Sequence, residues 1–326
     1  MSDPTRPPCI LFTSLSAKTA LYQEVVRSAQ AFYPGTKVVG CDSNEKCDAA
    51  QKVDHFIVFP KINELSDQRL LGLCEKYQVT HILPTRDGEL HYWAKKKALL
   101  QDNQITVWVS DPGCIDVCND KLAFFHDWAD CALPPIKTYV QPLKEKAERW
   151  VVKARNDSGA RTNKLGLSYD QACKYLDDSS GNDLIFQPYI SGQEFSAEAW
   201  ISKEGQCYGP LLRWRNKVVD GESHESTVFR NTDWESKVRE VFLHKPGLFG
   251  HCLAQVIVEE DENLHLVEIN PRLGGASPLA LRAGLESIRW HFMEEAGKLA
   301  DVPEQPRFYD RLSLSKSEKT VFIGMI

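Results

Sequence analysis

The chain has 326 residues, enough for two or three compact domains, and its 42% hydrophobic and 26% charged content is ordinary for a globular protein. Lysine and arginine total 39 against 45 aspartate and glutamate, which argues against nucleic acid as the main partner because a phosphate backbone requires a basic surface. No apolar run is long enough to cross a bilayer, and the proline-rich start does not resemble a signal peptide. The ten scattered cysteines lack a C-x-x-C pair. We therefore expect a cytoplasmic protein with reduced thiols and no membrane partner.

Strands and helices alternate through the first hundred residues. The predicted strands are "CILFTS", "TKVVGCD", "HFIVFP", "VTHILPT" and "QITVWVS". The predicted helices are "SAKTALYQEVVRSAQAFY", "LSDQRLLGLCEKY" and "GELHYWAKKKALLQ". This alternation predicts a parallel sheet with crossover helices. The first turn, "TSLSAK", contains no glycine, so the G-x-G-x-x-G element of a dinucleotide site is missing and an NAD-dependent oxidoreductase is disfavoured.

Polar residues follow the fourth predicted strand. In a parallel sheet, ligands bind beyond the carboxyl ends of the strands. The segment "PTRDGE" lies at such an end and supplies the candidate substrate contacts Thr85, Arg86, Asp87 and Glu89. A well-hydrogen-bonded loop without a ligand is an equally good interpretation of these residues.

The segment "DPGC" marks a boundary, after which "NDKLAFFHDWAD" predicts a helix capped by Asn119 or Asp120. Further along, "RWVVKARNDSGARTNKLGLS" predicts a strand that ends at Lys153 and a polar, glycine-containing loop from Asn156 to Gly166. The loop is not a Walker A motif. It is either a lid that closes over phosphates through backbone N–H groups or a plain hairpin connection.

A hairpin is predicted for "LAQVIVEEDENLHLVEIN", with "EDEN" as its turn. A turn centred on Asp261 and Glu262 sets Gln255 opposite Glu268. One face then carries Ala254, Val256, Val258, Val267 and Ile269 and should be core. The other face collects Gln255, Glu268 and Asn270 at one end, with Leu266 and Ile257 further along, and Arg272 just beyond. A carboxylate and two amides suit Mg²⁺, and the alternative is a solvated outer face.

Several segments in this order resemble the ATP-grasp superfamily, specifically the carbamoyl-phosphate-synthase-large-subunit-like branch of carboxylate–amine ligases. They are "NDKLAFFHDWADCALPPIKTYV", "WVVKARNDSGARTNKLG", "IFQPYISGQEFSAEAW", "LAQVIV" and "VEINPRLGGASPLALRAG". The resemblance implies an α/β N-terminal Rossmann-like pre-ATP-grasp domain with a parallel sheet, over residues 1–112. A two-lobed α+β ATP-grasp fold follows, with a small lobe over 113–190 that carries the phosphate lid. The large lobe, over 191–326, carries the metal and catalytic site.

The resemblance also implies roles for individual residues. Lys121 and Lys153 would reach the phosphates of ATP, under a lid that includes Ser158 and Gly159. Gln187, Pro188, Tyr189 and Ile190 would bind adenine through their backbone, and Glu194 would hold the ribose hydroxyls. Gln255, Glu268 and Asn270 would bind Mg²⁺, with Mn²⁺ as the alternative metal. Arg272 would face the transferred phosphoryl group, and Arg213 and Arg215, in "RWRNKVVDGES", would face the acyl-phosphate.

The function implied is an ATP- and Mg²⁺-dependent, ADP-forming ligase that activates a carboxylate as an acyl-phosphate and joins it to an amine or another nucleophile. The expected partners are small carboxylic acids and amines, amino acids among them, and a homodimer is left open. A kinase-like or carbamoyl-phosphate-forming ATP-grasp enzyme, or a split subunit of one, is the first alternative. A regulatory protein that binds ATP without turnover is the second.

Overall fold

Five parallel strands near the start of the chain form the first sheet, in the order β3-β2-β1-β4-β5. The computed structural model describes residues 7–156, 163–178, 183–303, 305–316 and 320–324. The strands are β1 (Cys9–Phe12), β2 (Lys37–Asp42), β3 (Phe56–Val58), β4 (His81–Leu83) and β5 (Thr106–Val107). The helices between them are α1 (Thr19–Phe32), α2 (Asp67–Tyr77) and α3 (Asp87–Asp102). The parallel sheet and crossover helices predicted from the alternating pattern are confirmed.

Two antiparallel sheets follow, of three strands (β7-β6-β8) and of seven (β13-β12-β9-β10-β11-β14-β15). The small sheet contains β6 (Trp150–Ala154), β7 (Lys164–Leu167) and β8 (Leu184–Pro188). The large sheet contains β9 (Gln193–Ile201), β10 (Cys207–Val219), β11 (Glu222–Phe229), β12 (Gly250–Val258), β13 (Leu264–Asn270), β14 (Ser313–Lys316) and β15 (Thr320–Ile323). The further helices are α4 (Pro112–Asn119), α5 (Lys121–Asp127), α6 (Tyr169–Asp178), α7 (Thr232–Leu243), α8 (Ser277–Arg282) and α9 (Ser287–Glu295). Across the described ranges, we find no helix both long and apolar enough to span a membrane.

The N-terminal sheet shares its core with the C-terminal part of the chain. One face of the sheet packs against α2 and α3, through residues such as Leu11 and Trp93. The opposite face packs against α1 and also against α8 and α9, where Phe12 belongs to the same cluster as Leu281 and Phe292. The second face is therefore covered in part by α8 and α9, although these helices come long after the last strand of the sheet in the sequence. This shared core fixes the carboxyl end of the parallel sheet beside the loop that follows β13.

The two faces of the large sheet differ in chemistry. One face carries Phe195, Ala197, Leu212, Ala254 and Val256, which are buried against α4, α5 and α7. Because side chains alternate along a strand, the residues between them project from the other face. That second face is apolar at one end, where Trp200 packs under α8 and α9, and charged at the other end. The charged end is described below.

The hairpin of β12 and β13 has the predicted pairing at its functional end and a bulge in its middle. Gln255 lies opposite Glu268, which confirms the predicted register there. The pairing then shifts by one residue, so that Val256 faces Leu266 rather than Val267. The prediction that Val267 is core and Leu266 lies on the polar face is therefore wrong, since Leu266 is fully buried and Val267 is not. A bulge places one extra residue on one strand, so the residues beyond it project from the opposite face to the one that a regular pairing predicts.

Gly192, just before β9, gives a test of the packing at the end of this hairpin. A Cβ atom there would lie 2.2 Å from the carbonyl oxygen of Val258, which is backbone and cannot move aside cheaply. We expect Gly192→Ala to lower the free energy of unfolding by about 1–3 kcal/mol, measured by urea denaturation. The matched control is Gly72→Ala in α2, where a Cβ meets nothing within 4 Å and should stabilise by about 0.5–1 kcal/mol. Equal effects of the two substitutions would contradict this packing.

Candidate active site

A row of polar side chains crosses four neighbouring strands of the large sheet. Glu268 on β13 lies opposite Gln255 on β12, Gln255 lies opposite Ser196 on β9, and Ser196 lies opposite Arg213 on β10. Residues opposite one another project from the same face, so the row is continuous. The hydroxyl of Ser196 is buried and has no hydrogen-bond partner among the described residues. The row therefore interrupts the apolar packing of the sheet with polar side chains.

The three predicted metal ligands lie together at one end of this row. Asn270 Nδ2 donates to Glu268 Oε1 at 2.8 Å, and Gln255 is the cross-strand neighbour of Glu268. In the described ranges no group of three or more His, Cys, Asp or Glu is placed to hold a metal, and this set contains a single carboxylate with two amides. That composition fits Mg²⁺, which usually binds one or two protein carboxylates together with waters and substrate phosphates.

Arg272, just beyond β13, is held by the first residue of α3. Its Nε donates to Asp87 Oδ1 at 2.6 Å and its Nη2 to Asp87 Oδ2, a bidentate pair. Nη2 also approaches Asn270 Oδ1 at 3.4 Å. Burial disfavours the charge on Arg272, but Asp87 and then Glu268 outweigh that effect and raise its pKa. Two residues predicted for different subsites are thus in contact, and Arg272 is fixed beside the metal ligands.

Of the two predicted phosphate lysines, Lys121 begins α5 and Lys153 is the second-last residue of β6. Burial lowers the pKa of Lys153, Glu268 partly offsets this, and Lys121 lowers it further, so these charges lie close enough to act on one another. The backbone N–H of Lys121 donates to the carbonyl of Arg155 at 3.1 Å. Because burial disfavours the charged form of Lys153, an anionic ligand beside it would stabilise that charge.

Arg155 and Asp120 hold these two lysines in place, and sequence reasoning gave Arg155 no role. Asp120 is confirmed as the cap of α5, because its Oδ1 accepts from the N–H groups of Leu122 and Ala123 at 3.0 Å. Arg155 donates to both carboxylate oxygens of Asp120, at 2.8 and 2.7 Å. Burial raises the pKa of Asp120, but Arg155 and the two backbone donors outweigh it and lower it. The predicted lid residues Ser158 and Gly159 lie outside the described residues.

The predicted adenine segment lies at the end of β8. The side chain of Gln187 is buried and donates to Thr138 Oγ1 at 2.9 Å, so it supports the strand. The N–H of Tyr189 donates to the carbonyl of Arg149 at 2.9 Å. Contacts of Tyr189 with a base would therefore use its carbonyl or its exposed ring. The parts assigned to Pro188 and Ile190 stay predictions.

Glu194 and Arg215, predicted for the ribose and the acyl-phosphate, lie side by side. Arg215 Nε is 3.2 Å from Glu194 Oε1, and Arg215 Nη2 donates to the carbonyl of Gly221 at 2.8 Å. Burial raises the pKa of Glu194, with Arg215 opposing and Glu268 reinforcing the shift. Burial also lowers the pKa of Arg215. Glu268 acts electrostatically on both Glu194 and Arg215, so this pair lies near the predicted metal ligands.

Arg213 is more deeply placed than its predicted role suggested. It is 1% exposed, its Nε donates to Glu198 Oε1 at 2.6 Å and its Nη1 to Ser226 Oγ at 3.2 Å. Glu198 Oε2 also accepts from His251 Nε2 at 2.8 Å. Burial raises the pKa of Glu198, but Arg213 and His251 outweigh it and bring it to about 2. Arg213 is thus locked in a buried ion network, and a role at the acyl-phosphate stays a prediction.

The N-terminal candidates divide into two kinds. Glu89 is 2% exposed and accepts from Thr13 Oγ1 at 2.8 Å, from the N–H groups of Thr85 and Arg86, and from Trp93 Nε1. Because both its oxygens are engaged within the domain, Glu89 supports the start of α3, and the loop interpretation fits it better than substrate contact. Arg86 is exposed, and its Nε donates to Ser14 Oγ at 3.3 Å.

Comparisons with known proteins agree with this geometry. The ATP-grasp domain family matches residues 118–276, and a PylC-like N-terminal domain family matches residues 10–108. The chain belongs to the ATP-grasp superfamily. The predicted superfamily and its fold are confirmed. Solved neighbours of this fold hold ADP and Mg²⁺, which agrees with the predicted cofactors ATP and Mg²⁺.

Solved structures show the same fold at low sequence identity. N5-carboxyaminoimidazole synthetase from Staphylococcus aureus, in complex with ADP, has a TM-score of 0.72 at 16% identity, covering 94% of this chain and 82% of that one. The biotin carboxylase domain of Hydrogenobacter thermophilus 2-oxoglutarate carboxylase, with MgADP and bicarbonate, has a TM-score of 0.72 at 15% identity, covering 94% and 74%. Biotin carboxylase from Campylobacter jejuni has a TM-score of 0.71 at 12% identity, covering 94% and 75%. No curated protein sequence matches the chain significantly.

Glu198 gives a test of the ion network beneath this ATP-grasp site. Glu198→Gln leaves the buried Arg213 without its counter-charge, and we expect a loss of about 3–5 kcal/mol in the free energy of unfolding. Glu225→Gln is the control, since its partner Lys217 lies 3.9 Å away on an exposed surface and should contribute less than about 1 kcal/mol.

The same residue predicts an acid sensitivity. The folded pKa of Glu198 is about 2 against an ordinary 4.5, so its stabilising effect is complete above pH 4.5 and is lost as the pH falls toward 2. The unfolding free energy of the wild type should therefore fall more steeply than that of Glu198→Gln between pH 5 and pH 2. Parallel pH profiles, measured by denaturant titration, would contradict the assignment.

Proposed function

We propose that this ATP-grasp protein is an ATP- and Mg²⁺-dependent ligase that activates a substrate carboxylate. The carboxylate oxygen attacks the γ-phosphorus of ATP, the bond to the β–γ bridging oxygen breaks, and ADP leaves. An amine then attacks the acyl carbon of the acyl-phosphate and displaces inorganic phosphate, losing a proton. The observation that carries this proposal is the placement of Glu268, Asn270 and Gln255 together on one face, with Arg272 fixed beside them.

Electrostatics explain why that face needs a divalent ion. At an effective dielectric constant near 20, a carboxylate about 4 Å from a phosphate is repelled by roughly 4 kcal/mol per pair of charges. Glu268 beside a triphosphate would oppose nucleotide binding unless a cation lay between them. Mg²⁺, when bound there, supplies charge neutralisation as the phosphoryl group is transferred. The amides of Gln255 and Asn270 add oxygen ligands without adding negative charge.

The protein's own residues position and neutralise the reactants. Lys121 and Lys153 would compensate phosphate charge, and the low pKa that burial gives Lys153 would rise again beside an anion. Arg272 offers guanidinium donors in a fixed orientation because Asp87 holds its other edge. Such chemistry depends on positioning and electrostatic stabilisation more than on a general base.

The substrates are proposed from the chemistry of the loops. We place the amine- or carboxylate-bearing substrate at the carboxyl end of the parallel sheet, near Thr85, Arg86 and Asp87, with amino acids among the candidates. The relatives are named for N5-carboxyaminoimidazole synthesis and for biotin carboxylation. One of them is a domain dimer, and a homodimer is proposed for this chain on that analogy alone.

Turnover should depend on Glu268. We expect Glu268→Gln to lower ADP release by at least about 100-fold, because it removes the single carboxylate of the metal set. Glu260→Gln is the control, an exposed residue on the turn of the same hairpin. The assay is ADP release with panels of carboxylic acids and amines, with each component omitted in turn. Full ADP release by Glu268→Gln would contradict the mechanism, and release that requires no amine would favour a kinase-like reaction.

Asp87 should act through Arg272. Asp87→Asn removes the charge of a bidentate pair, so Arg272 is no longer held, and a misplacement of about 1 Å can cost about 100-fold in rate. We expect the kcat for ADP release to fall by about that factor while the Kd for Mg·ADP changes little. Asp67→Asn, which breaks an exposed pair with Lys96, is the matched control. A normal kcat in Asp87→Asn would show that Arg272 is positioned by other contacts.

A further inference from the structure

A lysine that no predicted role includes lies at the carboxyl end of the N-terminal sheet. Lys18 is the last residue of the β1–α1 turn and is partly buried. Its Nζ donates to the carbonyl of Ser14 at 2.6 Å and to Thr85 Oγ1 at 3.2 Å. An ammonium group has three hydrogens to donate, so these contacts leave one of them for another acceptor.

Lys18 has no carboxylate partner at ion-pair distance among the described residues. The carboxylates whose fields reach it are those of Glu89, Glu222 and Asp42, and each is already engaged. Glu89 caps α3, Glu222 pairs with Lys316 at 3.4 Å, and Asp42 accepts from backbone N–H groups in the loops on either side. A desolvated cation without a counter-ion is unfavourable unless a ligand supplies one. Burial lowers the pKa of Lys18 to about 8, which is consistent with that imbalance.

The turn that positions Lys18 is itself held in an unusual conformation. Ser14 and Ser16 have φ angles of 50° and 46°, in the left-handed region that residues other than glycine rarely adopt. Arg86 donates to the side chain of Ser14, and Thr85 Oγ1 donates to the carbonyl of Thr13 at 2.6 Å. The turn and the start of α3 thus hold each other. Both present cationic groups, Lys18 and the exposed Arg86, on the same side of the sheet.

Lys18 and Arg86 are hydrogen-bonded to residues of the N-terminal turn and loop, whereas Arg272 contacts a predicted metal ligand. Arg272 reaches toward Asn270 and Glu268 on one side and is fixed by Asp87 on the other. Lys18 is bonded to Thr85, two residues before Asp87, and the charge of Arg272 reaches Lys18 and contributes to lowering its pKa. A carboxylate held by Lys18 would lie against the N-terminal turn and Thr85, whereas Arg272 contacts the predicted metal ligand Asn270, so the two positions are built from different residues.

We infer that Lys18 is a specificity-determining residue that binds a second, unactivated carboxylate of the substrate, with Arg86 and Thr85 beside it. This inference rests on the proposed ligase function and narrows its substrate: the molecule bound at the N-terminal sheet carries a free carboxylate, as an α-amino acid does when it reacts through its amino group. A simple amine without that carboxylate would leave Lys18 without its counter-ion.

The test compares matched ligands on matched variants. Alanine with ethylamine, phenylalanine with phenethylamine, and glutamate with γ-aminobutyrate each differ by one carboxylate. Binding of every member is measured by calorimetry in the presence of Mg·ADP, and ADP release is measured separately with ATP and a panel of acids. The variants are Lys18→Met, Lys18→Arg and the control Lys37→Met, an exposed lysine at the opposite end of the same sheet.

We expect the wild type to bind at least one amino acid about tenfold or more tightly than its decarboxylated partner, as a charge-assisted hydrogen bond supplies. Lys18→Met should abolish that preference, while Lys18→Arg and Lys37→Met should keep it, with the Kd for Mg·ADP unchanged in all three. The melting temperature of Lys18→Met should be equal to or above that of the wild type, because the substitution removes an unpaired cation. If Lys18→Met fails to fold, Lys18→Gln takes its place in the same comparison.

Two results would overturn the inference: a preference that survives in Lys18→Met, or a wild type that shows no carboxylate preference with any pair. The proposed function is tested separately, because a Lys18-dependent preference in binding without any ADP release would support the subsite and contradict the ligase. ADP release without a carboxylate preference would support the ligase and contradict the Lys18 subsite.

Discussion

The ion pair between Asp87 and Arg272 joins the two halves of the candidate site. It links the first residue of α3, in the N-terminal sheet, to the residue that follows the metal-binding strand, and the partners are 185 positions apart in the sequence. The pair can form only because α8 and α9 pack on the same sheet face as α1, which brings the end of β13 to the carboxyl end of the parallel strands. The candidate substrate loop and the candidate phosphate site are therefore brought together by the packing of α8 and α9 on the N-terminal sheet.

Around this pair, charges are balanced against one another where nucleotide is expected. Glu194 faces Arg215, Glu198 faces Arg213, and Asp120 faces Arg155. Burial nevertheless lowers the pKa of Lys153 and of Arg215, two cations on which Glu268 acts, so an added anion would stabilise both charges. Without a divalent ion, the only carboxylate of the metal set would work against that gain. In the proposed mechanism, nucleotide and metal would therefore favour each other's binding at this site.

Local pattern predicted the parallel sheet and the grouping of Gln255, Glu268 and Asn270, whereas the nucleotide-binding roles were implied by the family resemblance and stay predictions. Alternating strands and helices gave the parallel sheet, and the turn "EDEN" fixed Gln255 opposite Glu268. Pattern could not show the bulge that buries Leu266, because an extra residue on one strand leaves the composition unchanged. Nor could it show that Arg213 is bound by Glu198 and His251, since the three come from different strands and their pairing depends on the order of strands in the sheet.

The turn after β1 shows how a correct observation about sequence can leave a site unseen. The absence of glycine from "TSLSAK" argued against a backbone that approaches a pyrophosphate closely. That argument excludes a dinucleotide site but says nothing about ligands that bind to side chains of the turn. Ser14 and Ser16 adopt positive φ angles all the same, at a cost of order 1–3 kcal/mol each that the surrounding contacts must offset. Those contacts include Leu15 N–H to the carbonyl of Cys41 and Ser16 N–H to Asp42. A glycine-rich turn would present backbone N–H groups, whereas this one presents a side-chain ammonium, and the inferred carboxylate ligand would give the strain kept at this position a function.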